Sequence, residues 1–383
     1  MKKLISLVLC AIMTLSVFTA CGDDKTPSAP NPHNDPEAAP AVTYTAEEIT
    51  TAMTVGWNLG NTLDAPDGEE SWGQPLTTKD MIDKLAELGF KTIRIPTSWG
   101  KHTSGAPDYT IDEKWMDRVQ EIVDWAMDND MFVILNSHHD NDFYYPSAEN
   151  HDEAVNYMTK IWTQVAERFK DYDQHLIFES MNEPRLTGTQ YEWNFDSNAK
   201  ECLEAAKTIL DCNQACVDAV RAAGGKNPDR YIMAATYSAS PYSAINDAYE
   251  LPSDPSEKIL LSIHAYTPYD LAMSGEYASR EFTDNSKKSI DDFVDKIYNK
   301  YVKNGIYVVI GECGCTNKGN DDARHEWGKY FISKAKENKM PCVVWDNQHD
   351  DLGSECYALF DRYNLEVFPS CKEYYEGIMA GLE

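Results

Sequence analysis

Two glutamates, Glu183 and Glu312, each close an apolar run that reads as a buried β-strand. The first run begins at Leu176-Ile-Phe and reaches Asn182-Glu183-Pro184; the second is Tyr307-Val-Val-Ile-Gly-Glu312. Carboxylates at the C-terminal ends of parallel strands stand where barrel enzymes carry out their chemistry. Two of them brought together are the equipment for cleaving a glycosidic bond. That chemistry requires a fold that delivers both strand ends to one face.

Strand-like and helix-like segments alternate along the chain. Apolar runs occur at Met53–Leu59, Lys91–Pro96, Met131–Asn136, His175–Asn182, Tyr231–Thr236, Ile259–His264, Tyr307–Glu312 and Cys342–Asp346. Between them lie stretches with the 3.6-residue period of amphipathic helices, at Thr78–Leu88, Glu113–Met127, Asp152–Phe169, Lys287–Val302 and Asp321–Ala335. Eight short buried strands alternating with helices predict an α/β fold, a single (β/α)8 TIM barrel. A doubly wound sheet is the alternative, but no Gly-x-Gly-x-x-Gly turn follows the first strand. On this count Glu183 ends strand four and Glu312 ends strand seven.

The other strand ends are also polar or aromatic: Asn58 and Asn61, Arg94, His138-His139-Asp140, His264 and Tyr266, and Trp345-Asp346-Asn347. Such a set predicts one shared pocket at the barrel mouth. His138 and His139 invite a metal reading. Neighbours on a strand face opposite sides and no third ligand stands at the usual spacing, so no metal is expected. Hydrogen bonding to sugar hydroxyls is the better role, with His138 rather than His139 facing the pocket.

Five blocks, in order, carry a family resemblance: Gly56-Trp-Asn-Leu-Gly-Asn-Thr-Leu-Asp64, Thr92-Ile-Arg-Ile-Pro96, Phe178-Glu-Ser-Met-Asn-Glu-Pro184, His264-Ala-Tyr-Thr-Pro-Tyr269 and Val309-Ile-Gly-Glu312. They resemble glycoside hydrolase family 5, and the first and fourth resemble its subfamily 4, the endo-β-1,4-glucanases and xyloglucanases. The resemblance implies a retaining enzyme with Glu183 as acid/base and Glu312 as nucleophile. It further implies that Arg94 holds the nucleophile ionised, that Asn182 bonds the sugar 2-hydroxyl, that Tyr266 supports Glu312 and that His264 supports the Glu183 side. Trp345 would form the floor under the sugar being cleaved, and Asn58 and Asn347 would support or contact the substrate. Trp57, Trp72, Trp99, Tyr144 and Tyr145 are candidates for outer subsites or, equally, for packing in the core. One departure stands out: Cys313 follows the nucleophile where the family usually has an aromatic residue, and its thiol could pair with Cys315 or Cys342.

Charge narrows the partners. The 383-residue chain carries 34 Lys and Arg against 63 Asp and Glu, a net charge of −29. A surface this acidic repels nucleic acid and anionic glycans, whereas a neutral polymer is indifferent to it. A neutral β-glucan is the expected partner, with no nucleic acid, no cofactor and no metal, and the protein is expected to be a monomer.

The N-terminus reads as a targeting signal. Lys2 and Lys3 precede the apolar stretch 4–18, and Thr19-Ala20 lead into Cys21. Residues 1–20 resemble a bacterial lipoprotein signal, which implies cleavage before Cys21 and lipidation of that cysteine; an ordinary secretory signal is the alternative. Residues 21–42, rich in Pro and Asp, read as a flexible tether, and residues 43–383 as the catalytic domain. The expected location is the outer membrane of a Gram-negative bacterium, facing the cell surface, with membrane contact only through the lipid. Of ten cysteines, Cys10 and Cys21 belong to this leader; the other eight are scattered and establish no bridge.

The expected activity is therefore endo-β-1,4-glucanase. Xyloglucan, mixed-linkage glucan and, less readily, mannan are alternative substrates, and a non-catalytic glycan-binding lipoprotein is the alternative of a different class.

Overall fold

The computed structural model describes residues 43–273 and 278–383; the signal, Cys21 and the tether lie outside the described residues. Eight parallel strands close into a barrel: β1 (Val55–Asn58), β2 (Thr92–Ile95), β3 (Phe132–Asn136), β4 (Leu176–Glu179), β5 (Ile232–Ala235), β6 (Ile259–His264), β7 (Val308–Cys313) and β8 (Cys342–Val344). Pairing of β1 with β8, Val55 opposite Cys342, completes the ring and excludes a doubly wound sheet. A small antiparallel pair, β9 (Phe360–Asp361) and β10 (Glu366–Val367), follows the barrel.

Side chains alternate between two environments, as a two-residue period demands. Val133 and Leu135 of β3, Phe178 of β4 and Leu261 of β6 face outward into the layer shared with the helices. Phe132, Ile134, Ile177, Met233, Leu260, Val309 and Val343 point inward and pack with Ile49 and Met53, from the short helix Ala46–Met53 ahead of the barrel. The inner core is thus apolar at its N-terminal end. Further along the same inward positions come Asn58, Arg94, Asn136 and Glu179, all fully buried.

Five helices form where the periodicity places them; the longest, Lys200–Ala222, is not among the predicted stretches. Thr78 caps Lys79–Glu87 through the Met81 N–H, a contact of about 1 kcal/mol. Helix Glu113–Met127 begins at the cap Asp112 and buries Met116, Val119, Ile122 and Val123. Truncating Ile122 to alanine would remove about 2–5 kcal/mol of that packing.

One boundary differs from expectation. β4 ends at Glu179, so Glu183 lies in the loop beyond it. That loop is still tied to the barrel, since Ser180 N–H donates to Met233 O and Asn182 N–H donates to Ser137 O. The eight cysteines from Cys202 onward are all buried free thiols, so Cys313 pairs with neither Cys315 nor Cys342. No helix among the described residues is long and apolar enough to cross a membrane.

Candidate active site

Arg94 is the hub. Buried on β2, it has five N–H donors and no acceptor. Nε donates to Glu179 Oε2 at 2.7 Å, Nη1 to Glu312 Oε1 at 2.8 Å and to Asn58 Oδ1 at 2.9 Å, and Nη2 to Asn182 Oδ1 at 2.7 Å. Burial alone would weaken its hold on the proton; the charges of Glu179 and Glu312 reverse that and raise its pKa. A guanidinium gripped by four side chains cannot turn, so the groups it holds are oriented with it.

Glu312 and Glu183 do meet. With His264 they form a trio whose facing atoms all lie within 4.8 Å of one another. His264 Nδ1 is 2.8 Å from Glu183 Oε1 and 3.6 Å from Glu312 Oε2. Glu312 also accepts from the Tyr266 hydroxyl at 2.9 Å, and Arg185 Nη1 stands 3.4 Å from Glu183 Oε2. Burial pushes the Glu312 carboxyl up, against the pull of His264 and Arg94. Burial pushes Glu183 the same way, but the hydrogen bond and charge of His264 outweigh it and leave Glu183 below the usual range. His264 moves up in turn, because two carboxylates overcome its burial. The three groups are coupled: the contact with His264 draws Glu183 down, and the same contact draws His264 up.

These groups open into a cleft of about 880 Å³, also lined by His138, His139, Asn182, Tyr266, Trp345 and Asn347. Trp345 lies nearly parallel to the His138 ring, 8° off at 5.9 Å. A β-carbon on Gly60 would fall 2.8 Å from Trp345 Cζ2, so the absence of a side chain there lets the β1 loop run against the indole.

Several expected placements change. His138 and His139 both line the cleft, their rings 4.5 Å apart, because β3 stops at Asn136 and strand alternation no longer applies. Asp64 comes within 4.8 Å of both, a third possible donor that sequence spacing hid. Yet burial pushes Asp64 up to about 7 and His139 down to about 4, and two backbone N–H groups already occupy the Asp64 carboxylate. Asn58 faces no sugar: its amide bonds Gly311 O and Arg94 beneath the cleft floor. The Asn347 amide is spent on its own loop, donating to Glu355 O and accepting from the N–H groups of His349 and Tyr357.

The candidate outer-subsite aromatics also divide. Trp57, Trp99 and Tyr144 are core residues, the first two donating their indole N–H to Asp346 and Asn136 O. Tyr145 lines a separate small cavity. Trp72 is exposed beside His139, at 5.4 Å. Three exposed aromatics that the sequence reading did not single out, Trp193, Tyr242 and Tyr269, also line the cleft. Arg185, stacked on Trp193 at 4.0 Å, was missed as well, although its place directly after Glu183-Pro184 was a usable signal.

Comparison with known proteins agrees with this geometry. Endoglucanase B of Clostridium cellulovorans is 40% identical over 341 residues, covering 88% of this chain and 76% of that protein. Among solved structures, a GH5-4 broad specificity endoglucanase from Clostridium acetobutylicum is 40% identical with a TM-score of 0.82, covering 88% of this chain and 99% of that one. A GH5 family lichenase from Caldicellulosiruptor sp. F32 is also 40% identical, with a TM-score of 0.85, covering 90% and 99%. Residues 51–351 match the cellulase family, and the chain belongs to that family, glycosyl hydrolase family 5.

Proposed function

We propose that the protein is an endo-β-1,4-glucanase that cleaves internal bonds of a neutral glucan with retention of anomeric configuration. The observation that carries this reading is the meeting of Glu183 and Glu312 across His264, in a cleft of about 880 Å³ at the barrel mouth. Retaining glycosidases hold their carboxyl groups about 5–5.5 Å apart, whereas inverting ones leave about 6.5–9.5 Å for a water. An oxygen of each carboxyl lies within 4.8 Å of the other, which sets the two groups side by side and favours the first arrangement. Relatives named endoglucanases support the substrate class.

Glu312, ionised and held by Arg94 and Tyr266, attacks the anomeric carbon and forms a glycosyl ester. The bond to the leaving oxygen breaks as Glu183 gives that oxygen a proton. Filling the cleft with sugar strips water from the Glu183–His264 pair, which costs an ion pair more than a neutral one. The shared proton then passes across 2.8 Å to Glu183. In the second half, Glu183 takes a proton from water as its oxygen attacks the anomeric carbon from the side the leaving group vacated; the bond from that carbon to Glu312 breaks, and the sugar leaves with the β configuration restored. Trp345 and His138 supply the platform and hydrogen bonds for the reacting sugar.

Mixed-linkage β-glucan is a second reading, favoured by the likeness to the lichenase. Initial rates on cellulose derivative, mixed-linkage glucan, xyloglucan and mannan, with product anomers read by NMR, test both. Inverted product sinks the mechanism, and the absence of turnover on all four would leave the glycan-binding alternative.

The N-terminal segment supports a second proposal, that the chain is exported and tethered to the outer membrane through a lipid on Cys21. Expression of Cys21→Ala should move the activity from the membrane fraction to the soluble periplasmic one, while protease added to whole cells reports whether the wild-type enzyme faces outward.

A further inference from the structure

The fully buried carboxylate of Glu179 takes no direct part in the chemistry above, yet the site is built around it. Its Oε2 accepts from Arg94 Nε at 2.7 Å and Asn136 Nδ2 at 2.9 Å, and its Oε1 accepts from the Ser262 hydroxyl at 2.5 Å. A β-carbon at Gly311 would lie 3.3 Å from Glu179 Oε1 and 3.3 Å from His264 Nε2, so the residue before Glu312 lacks a side chain where these two groups press on the strand. β4 thus carries an anion on the barrel axis, behind the cleft wall and out of a sugar's reach.

The geometry points to Glu179 as a positioning residue that acts through Arg94, fixing the guanidinium and offsetting its charge so that Glu312 stays a reactive nucleophile. This rests on the reading of Glu312 as the nucleophile. With one carboxylate partner, Arg94 would hold Glu312 as a tight ion pair, and a carboxylate bound that firmly is a poorer attacking group. With two partners the cation is divided. Glu312 is faced by Arg94 from β2, Glu179 and Glu183 from β4 and its loop, and His264 and Tyr266 from β6 and its loop. Glu355, from the loop after β8, and the neighbouring Cys313 thiol complete the set. Of these, Glu179 alone is a full negative charge that shares the Arg94 guanidinium with Glu312.

Glu179→Gln isolates the charge. The amide oxygen can keep Arg94 and Asn136, while the amide nitrogen faces Ser262, whose hydroxyl can turn and accept. The readout is the rate at which a 2-deoxy-2-fluoro cellobioside with an activated leaving group traps the enzyme, measured against pH, with the labelled residue identified by peptide mapping. Wild type should be labelled on Glu312. In Glu179→Gln the acidic limb of the trapping rate should move to lower pH by about one unit, because removing an anion favours the ionised nucleophile. The plateau rate should fall about tenfold or more, since misplacement near 1 Å costs on the order of 10²-fold.

Should Glu179→Gln not fold, Glu179→Asp keeps the charge and withdraws it by one methylene. It should hold the limb in place while the plateau falls, and a wild-type plateau would overturn the proposal. A folded Glu179→Gln with the wild-type limb and plateau overturns it directly, leaving Glu179 structural and Glu312 still the nucleophile. A label on another residue overturns both readings together.

Discussion

His264 Nδ1 lies 2.8 Å from Glu183 Oε1, and that contact sets the protonation of the whole cleft. The imidazole stands between two carboxylates, so burial alone would leave it neutral while their charges lift it above the ordinary histidine value. On the proposed mechanism the active form holds one proton across this pair and none on Glu312.

That arrangement predicts a pH profile. The shared proton is present below the raised His264 value and is lost as pH rises through it, so the basic limb of kcat/KM should lie above about 6.5, the free histidine value. In His264→Gln, Glu183 must keep its proton unaided, and the basic limb should move to lower pH with a fall in kcat. A basic limb unchanged in a folded His264→Gln would rule out proton sharing.

Glu183→Gln and Glu312→Gln should each lower kcat by about 10²–10⁴-fold or more, the range for losing a positioned proton donor or nucleophile. Each amide keeps the shape of its side chain, so the melting temperature should stay near wild type. Near-wild-type turnover by either variant would remove it from the reaction.

Glu183→Ala should remain competent in the first step when the leaving group needs no proton. External azide should then restore turnover and give a β-configured glycosyl azide. An α-azide, seen by NMR, would point to inversion instead.

Trp345→Ala separates a sugar platform from a core residue. Loss of a platform under the reacting ring should cost about 2–4 kcal/mol in transition-state binding, roughly 30- to 1000-fold in kcat/KM. The indole lies along the cleft and is 8% exposed, so the loss of stability should be the smaller effect. Melting temperature and kcat/KM on one preparation check this; a destabilised enzyme with wild-type kinetics would make Trp345 a core residue.

Local pattern carried much of this protein into view. Apolar runs and period-3.6 stretches placed all eight strands and five of the helices, though not the longest, Lys200–Ala222, because burial of apolar side chains is a short-range constraint written in consecutive residues. Glu183, Glu312, His264 and Tyr266 were legible for the same reason: each stands at or just past the end of an apolar run, with Arg94 two residues short of such an end, and the C-terminal strand ends of a barrel share one face.

Closure of the barrel decided the rest. Glu179 sits within the same run as Glu183, and only the inward turn of β4 shows that one meets Arg94 and the other the cleft. Asn58 and Asn347 look like sugar ligands from their positions, but their amides are consumed by backbone groups on neighbouring strands and loops. Trp57, Trp99 and Tyr144 are buried while Trp193, Tyr242 and Tyr269 stand exposed, a sorting that depends on which loop covers which ring. Asp64 reaches the two histidines from the loop after β1. Sequence by itself determined the elements and the chemistry available at their ends. Tertiary structure alone decided which polar groups spend their hydrogen bonds on one another and which stay open to a substrate, because that depends on distances between segments far apart in the chain.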